Sequence, residues 1–431
     1  MIYWAQLLHF YQPPTQLPEV LHKICNESYR PLIEVFSKHP NARATINING
    51  VLTEMLWYHG YGDIIDGLVK LAEKGQIEFV GSGKYHPILP LIPRKEMERQ
   101  IRLNRITNSH FFGKAYKPSG FFPPEMCYSK EIVDPIVESG HQWVIVGGIA
   151  CTVDWPLDKI HYVERNSDRL MVFFRDDILS NKISFQEVDA AGFLENLKQL
   201  KGDRENSYVV TAMDAETYGH HIQDWENLFL AEVYEEIQPT IETFAAFKQA
   251  TVLARQQDQF ISDDKLQNEI KVVTISELLN VFPAGSRIEP RASSWSTTGD
   301  DLLADNPFPL WKDKVNEIHR LQWEHLNICF DLVDRALSIT DNEESKRFAV
   351  ISRGLLDRAL HSCQFWWASR RPMWDINLVH LGLIDQWRVI VNAYRAINKG
   401  SVEEKVKREY YHKLVAARDI RNKITDRLFV W

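Results

Sequence analysis

The stretch Tyr208-Val209-Val210-Thr211-Ala212-Met213-Asp214-Ala215-Glu216-Thr217-Tyr218-Gly219-His220-His221 ends an apolar, β-branched run in two carboxylates, a glycine and two histidines. That is too many ionisable groups for a core, where an unpaired charge is costly, so the segment reads as a site. A third carboxylate, Glu125, follows Gly120-Phe121-Phe122 through Pro123-Pro124, whose fixed φ sets the direction in which the chain leaves the strand. Glu125 is either a rigidly placed catalytic group or a lead into the helix expected near Lys130. Carboxylates held in different protonation states can divide acid and nucleophilic roles between them. Glu78 interrupts the apolar run Ile77-Glu78-Phe79-Val80 and needs either an ion-pair partner or a functional role. His9 and Gln12 stand at the tip of Leu8-His9-Phe10-Tyr11-Gln12-Pro13-Pro14, and Arg175, in Phe173-Phe174-Arg175-Asp176-Asp177, can partner a carboxylate. In the C-terminal half, His361-Ser362-Cys363-Gln364-Phe365-Trp366-Trp367 is either packing at a helix end or a lid, with an amide for hydroxyls and a ring for stacking. Ser294-Trp295-Ser296, followed by Asp300 and Asp301, is a weaker candidate of the same kind.

Positioning these groups calls for strands that end at a common face. Short apolar runs alternate with amphipathic stretches over about the first 280 residues, the pattern of βα units and a largely parallel sheet. The strands predicted are Ile2–Phe10, Ala44–Asn49, Ile77–Val80, Gly120–Phe122, Trp143–Gly147, Leu170–Phe174, Tyr208–Ala212 and Lys271–Ile275, enough to close a barrel. Helices are predicted at Tyr61–Lys74, stopped by Gly75, and at Arg94–Ser109, after Pro93. Ala284–Asp305 reads as a long loop, and beyond Trp311 four strand-free helices are expected: Lys312–Ser338, Ser345–Ala368, Leu378–Asn398 and Val402–Leu428. A boundary falls near 290–310.

The 431 residues, 45% hydrophobic and 25% charged, can bury a large core. The net charge of −8, from 50 Lys+Arg against 58 Asp+Glu, leaves no cationic excess for phosphates or anionic lipid, so neither nucleic acid nor a membrane is an expected partner. Five scattered cysteines without a Cys-x-x-Cys pair, and an N-terminus without a basic region or cleavage site, point to the cytoplasm. No apolar run reaches the ~18 residues of a membrane span. The 13 Trp, 15 Tyr and 21 Phe suit a surface that binds sugars.

In this order the motifs resemble glycoside hydrolase family 57, over essentially the whole chain. His9, Gln12 and Pro13 stand for the family's His-x-His-Gln-Pro element, with Tyr11 in place of the second His. Gly75–Glu78 matches Gly-Gln-Ile-Glu and continues into Tyr85-His86-Pro87-Ile88-Leu89-Pro90. Asp214 falls in an Asp-x-Glu-x-aromatic-Gly segment, and His361–Trp367 resembles the fifth motif. The resemblance implies an α/β fold, an incomplete (β/α)7 barrel over residues 1–295, followed by an all-helical domain over 296–431 that completes the cleft. It implies Glu125 as nucleophile and Asp214 as general acid/base, acting on α-1,4-linked glucans as an α-amylase or 4-α-glucanotransferase, with no metal and no cofactor. Substrate contacts are expected from His9, Gln12, Glu78, Tyr85, His86, Arg175, Glu216, His221, Trp295, Gln364, Trp366 and Trp367. Asp214 is expected to keep its proton through burial and the nearby charge of Glu216. The alternatives are an α-1,4-glucan branching enzyme, a metal-dependent deacetylase-like or mannosidase-like barrel, for which only His220-His221 offers ligands, and a non-catalytic glucan-binding protein. A monomer or homodimer is expected.

Overall fold

A computed structural model describes residues 1–165, 168–237, 269–339 and 341–430. Strand β1 (Ile2–Phe10) is buried along almost its whole length, as expected for a parallel strand covered on both faces. It pairs in parallel with β2 (Ala44–Ile48) and β8 (Ser207–Asp214), while β3 (Ile77–Phe79) extends the sheet beyond β2. Strands β4 (Gly120–Phe121), β5 (Trp143–Val146) and β7 (Asp168–Phe174) continue the parallel order, joined to β3's end by a bridge between Gly81 and Phe121. Seven parallel strands therefore run β8-β1-β2-β3-β4-β5-β7, an α/β half-barrel, as the sequence predicts. β9 (Ile270–Val273) lies along the first half of β1.

Two strands differ from the sequence reading. β6 (Ile160–Arg165) pairs antiparallel with β7, and β10 (Ala284–Arg287) lines β6 as a further edge strand. Both carry polar residues and so lack the apolar run that marks the others; of the two only β10 is at the sheet edge. The predicted helix Ser345–Ala368 is broken into Glu343–Arg358 and a single turn at Cys363–Trp366.

The chain divides into two compact units. The first comprises residues 1–12, 16–84 and 97–295; the second comprises 13–15, 85–96 and 296–431. Division after Trp295 is accompanied by two excursions that the sequence reading left inside the barrel. In the second unit these excursions are held by bonds from the helices: Arg353 makes two hydrogen bonds to Glu96 (2.9 and 2.7 Å), His86 pairs with Ser362, and Arg358 donates to the carbonyl of Pro14 (2.9 Å). Its long helices are Glu317–Ser338, Glu343–Arg358, Ile376–Lys399 and Glu404–Leu428. Asn316, Asn342 and Asp375 start the first three by accepting from N–H groups of the first turn. Among the described residues no helix is long and apolar enough to cross a membrane.

Candidate active site

Parallel pairing sets the site. In the β1–β8 register His9 lies opposite Asp214, at the carboxyl ends of both strands, where α/β folds place their functional loops. His9 is buried, with Nδ1 donating to Asn47 Oδ1 (2.6 Å) on β2. Burial pushes the imidazole pKa down, against the charge of Asp214, which raises it. Its ring stacks on Phe122 (4.6 Å between centroids, 21°) and on Tyr11 (5.9 Å, 19°). Tyr11, the departure from the family's first motif, thus packs against the histidine of that same motif.

Phe122 leads through the two prolines to Glu125, whose backbone is left-handed (φ 60°, ψ 19°). A non-glycine residue there is strained by about 1–3 kcal/mol and persists only where its surroundings over-determine it. Those surroundings are residues 293–295. Tyr128 and Ser293 exchange backbone hydrogen bonds (2.8 and 3.1 Å), Trp295 N–H donates to the carbonyl of Glu125 (3.3 Å), and the Trp295 indole N–H donates to Glu125 Oε2 (3.0 Å). The indole also stands edge-on to His9 (5.9 Å) and Phe122 (5.8 Å). Glu125 and Asp214 are thereby attached to one aromatic cluster, Glu125 through Trp295 and Asp214 through His9.

Beyond Asp214 the chain turns so that Glu216 is buried, its Oε1 accepting from Gln12 Nε2 (2.8 Å) and from the Tyr29 hydroxyl. Tyr29 comes from a π-helical turn, Cys25–Tyr29, whose Ser28 hydroxyl donates to the Ala215 carbonyl (2.9 Å). Gly219 makes this docking possible. Its φ is +96°, and a Cβ there would lie 1.7 Å from the Glu27 carbonyl oxygen. Burial raises the pKa of both carboxyls. That of Glu216 is pushed up further by the charge of Asp214, to about 8, whereas Asp214 is pulled back down by His9 and Arg175. The pair therefore retains a proton at neutral pH, with burial as the largest cause for each carboxyl and the attraction of His9 and Arg175 opposing it at Asp214. Arg175 is anchored by Ala212 O (2.8 Å), Asp177 (2.7 Å) and Asn181 (2.9 Å), with its guanidinium 5.9 Å from the Trp295 ring centre. Its ion-pair partner is Asp177.

The remaining predicted site residues have partners of their own. Glu78 faces Thr45 and the start of the turn after β9, accepting from the Thr45 hydroxyl (2.7 Å) and Ser276 N–H (3.0 Å). Thr45 pairs with Leu7, two residues below His9 in the sheet, so this acceptor set braces strands rather than reaching the level of His9. Gln12 is spent on Glu216 and Gln16. The His221 side chain is exposed. Tyr85 and His86 belong to the helical unit, where the His86 ring and carbonyl both pair with Ser362. Gln364 is fully buried there: its Nε2 donates to Ala359 O (2.5 Å) and its Oε1 accepts from Gln386 (2.6 Å), which consumes the amide expected to bond hydroxyls. Trp367 packs with Ile318, Val379 and Leu383 in the unit's core, and Trp366 lies partly buried against it. Among the described residues no group of His, Cys, Asp and Glu is arranged to hold a metal ion.

Two contributors were not anticipated. Asn47 carried a signal, a polar residue inside the apolar run Ala44–Ile48. Tyr29 carried none, because its partner is 187 residues away.

The sequence profile described as Glycosyl hydrolase family 57 matches residues 5–258. An alpha-amylase of Pyrococcus horikoshii is 28% identical over 242 residues, 53% of this chain and 37% of the relative. A 4-alpha-glucanotransferase of Thermococcus litoralis is 27% identical over 220 residues, 49% of this chain and 32% of the relative. These alignments span little more than a third of the curated relatives. Among solved structures, the 4-alpha-glucanotransferase from Thermococcus litoralis superposes with a TM-score of 0.66 at 20% identity, over 92% of this chain and 59% of that one. A GH57-type branching enzyme from Pyrococcus horikoshii gives 0.65 at 16%, over 98% and 95%. At these identities the superpositions speak for the fold.

Proposed function

We propose, from the premise that this chain belongs to glycosyl hydrolase family 57, that it cleaves or transfers α-1,4-linked glucans with retention of configuration, using Glu125 as nucleophile and Asp214 as general acid/base. The observation that carries this reading is the convergence of the two carboxylates. Residues 89 positions apart, from the ends of different strands, meet one cluster of Trp295, Phe122 and His9.

A glycosidic bond breaks through an oxocarbenium-like state that needs an acid on the leaving oxygen and a nucleophile at the anomeric carbon. In the first step the Glu125 carboxylate bonds the anomeric carbon as the bond to the leaving oxygen breaks, and Asp214 gives that oxygen its proton. In the second, Asp214 takes a proton from the acceptor, whose oxygen displaces Glu125. Water as acceptor makes the protein a hydrolase; a sugar hydroxyl makes it a transferase. The buried Gln12–Tyr29–Glu216 network keeps a proton beside Asp214. The names of the relatives, alpha-amylase and 4-alpha-glucanotransferase, support an α-glucan as substrate.

Purified protein incubated with maltoheptaose, with and without chelator, tests the reading. Shorter products alone indicate hydrolysis, a ladder extending both ways indicates disproportionation, and new α-1,6 proton signals indicate branching. First-formed products of β configuration, no turnover of any α-glucan, or activity abolished by chelator would each overturn it.

A further inference from the structure

We propose that Trp295 is a positioning residue for Glu125, aiming the carboxylate through its indole N–H rather than stacking on substrate. The proposal rests on the assignment of Glu125 as nucleophile and adds to it a residue 170 positions away.

Three observations carry it. First, Trp295 bonds the same residue twice, by backbone N–H to the Glu125 carbonyl (3.3 Å) and by indole N–H to Oε2 (3.0 Å). A left-handed glutamate after two prolines needs restraint from outside its own loop, and Trp295, with the Tyr128–Ser293 pair, supplies it. Second, the indole is partly buried and already flanked by protein groups. Arg175 stands over the ring at 5.9 Å, and Phe122 and His9 meet it at 5.8 and 5.9 Å. A guanidinium over an indole also draws on the ring's electrons, which makes the N–H a better donor to a carboxylate. Third, the loop is pressed against its neighbours: a Cβ at Gly147 would lie 3.3 Å from the Ser294 carbonyl oxygen and 3.4 Å from the Trp295 Cα. The donor is thus fixed at backbone level.

The chemical consequence is a fixed direction for the carboxylate. With Oε2 held by the indole, the carboxylate keeps one orientation during attack. An electron pair of the Glu125 carboxylate forms the ester bond to the anomeric carbon, the bond to the leaving oxygen breaks, and the leaving oxygen takes its proton from Asp214. Loss of the N–H should therefore slow bond formation and leave substrate binding nearly intact.

The test compares Trp295→Phe, which keeps an aromatic ring but no donor, with benzothienylalanine incorporated at 295, which keeps the indole shape but no N–H. Both are assayed on maltoheptaose and on α-maltosyl fluoride, whose leaving group needs no acid. A lower kcat of about 10²-fold on both donors with KM changed less than about 3-fold is expected, the usual cost of an ångström-scale misplacement. By contrast, Asp214→Asn should lose less on the fluoride. A raised KM with unchanged kcat in Trp295→Phe, or full activity with benzothienylalanine, would overturn the proposal, and the latter keeps the test valid if Trp295→Phe folds poorly. Glu125→Ala separates the two layers of the argument. If it is inactive and azide restores turnover as a glycosyl azide of inverted configuration, the nucleophile stands and only Trp295 is under test; if it keeps normal activity, the assignment beneath the proposal fails.

Discussion

At the scale of single residues, the chemistry turns on how Asp214 and Glu216 share a proton. Burial favours the neutral form of each, but His9 and Arg175 flank Asp214 while Tyr29 and Gln12 hold Glu216. Asp214→Asn should preserve the fold and lower turnover by ~10²–10⁴, the usual contribution of a placed general acid. If Glu216→Gln abolishes turnover while Asp214→Asn does not, the acid is Glu216. Stability supplies an independent check. The Glu216 carboxyl rises from its ordinary value near 4.5 to about 8 on folding, so between these pH values the folded state holds a proton that the unfolded chain has lost. Stability must therefore fall as pH rises through that window. Glutamine cannot ionise, yet it keeps the oxygen that accepts from Tyr29 and Gln12. Glu216→Gln should consequently melt higher than the parent at pH 8 by at least ~2 °C, with the difference vanishing below pH 5, as read by thermal denaturation. A difference independent of pH would refute the buried proton.

At the scale of elements, the turn after β8 decides whether Asp214 and Glu216 reach their places. It can dock on the π-helical turn Cys25–Tyr29 only because residue 219 has no side chain. Gly219→Ala should cost well over the ~1 kcal/mol that a positive φ alone exacts, and should lower activity in parallel by moving Glu216 off Tyr29. Gly75 is the control. Its φ is +71° with nothing within 4 Å of a built Cβ, so Gly75→Ala should show the backbone cost alone. Equal urea midpoints for the two variants would show that the close approach to Glu27 is not limiting.

At the scale of the whole molecule, the second unit is assembled from three separate stretches of chain, and two of them, 13–15 and 85–96, are excursions from the barrel. Ile88 and Leu89 are completely or almost completely buried, and Glu96 is ion-paired to Arg353. Residues 1–295 expressed alone would leave these groups without the helices that hold them. The fragment should bind a hydrophobic dye and lack a sharp unfolding transition, whereas the full chain unfolds cooperatively; a fragment with a sharp transition and no dye binding would mean the barrel is self-sufficient. The same organisation explains why the fifth motif reads ambiguously. A Gln-Phe-Trp-Trp run has one composition whether it lines a cleft or fills a core, and here Gln364 and Trp367 sit among Gln386, Val379 and Leu383.

The parallel strands were readable from the chain because a strand covered on both faces must be a short unbroken apolar run. Their ends were readable because carboxylates, prolines and glycines are excluded from such runs. Glu125 and Asp214 stand out on those grounds alone, as does Asn47 in hindsight. The polar strands β6 and β10, and the helix break at 359–362, left no comparable mark, since pairing and packing decided them. The decisive contacts of the site are of the same kind. Trp295 on Glu125 spans 170 residues, and Tyr29 on Glu216 spans 187. A hydrogen bond depends on positions in space, and composition constrains those only along one strand or one helical turn. Local sequence therefore determined which residues could do chemistry and at which end of the sheet, whereas strand register and the close packing of loops decided which of them meet.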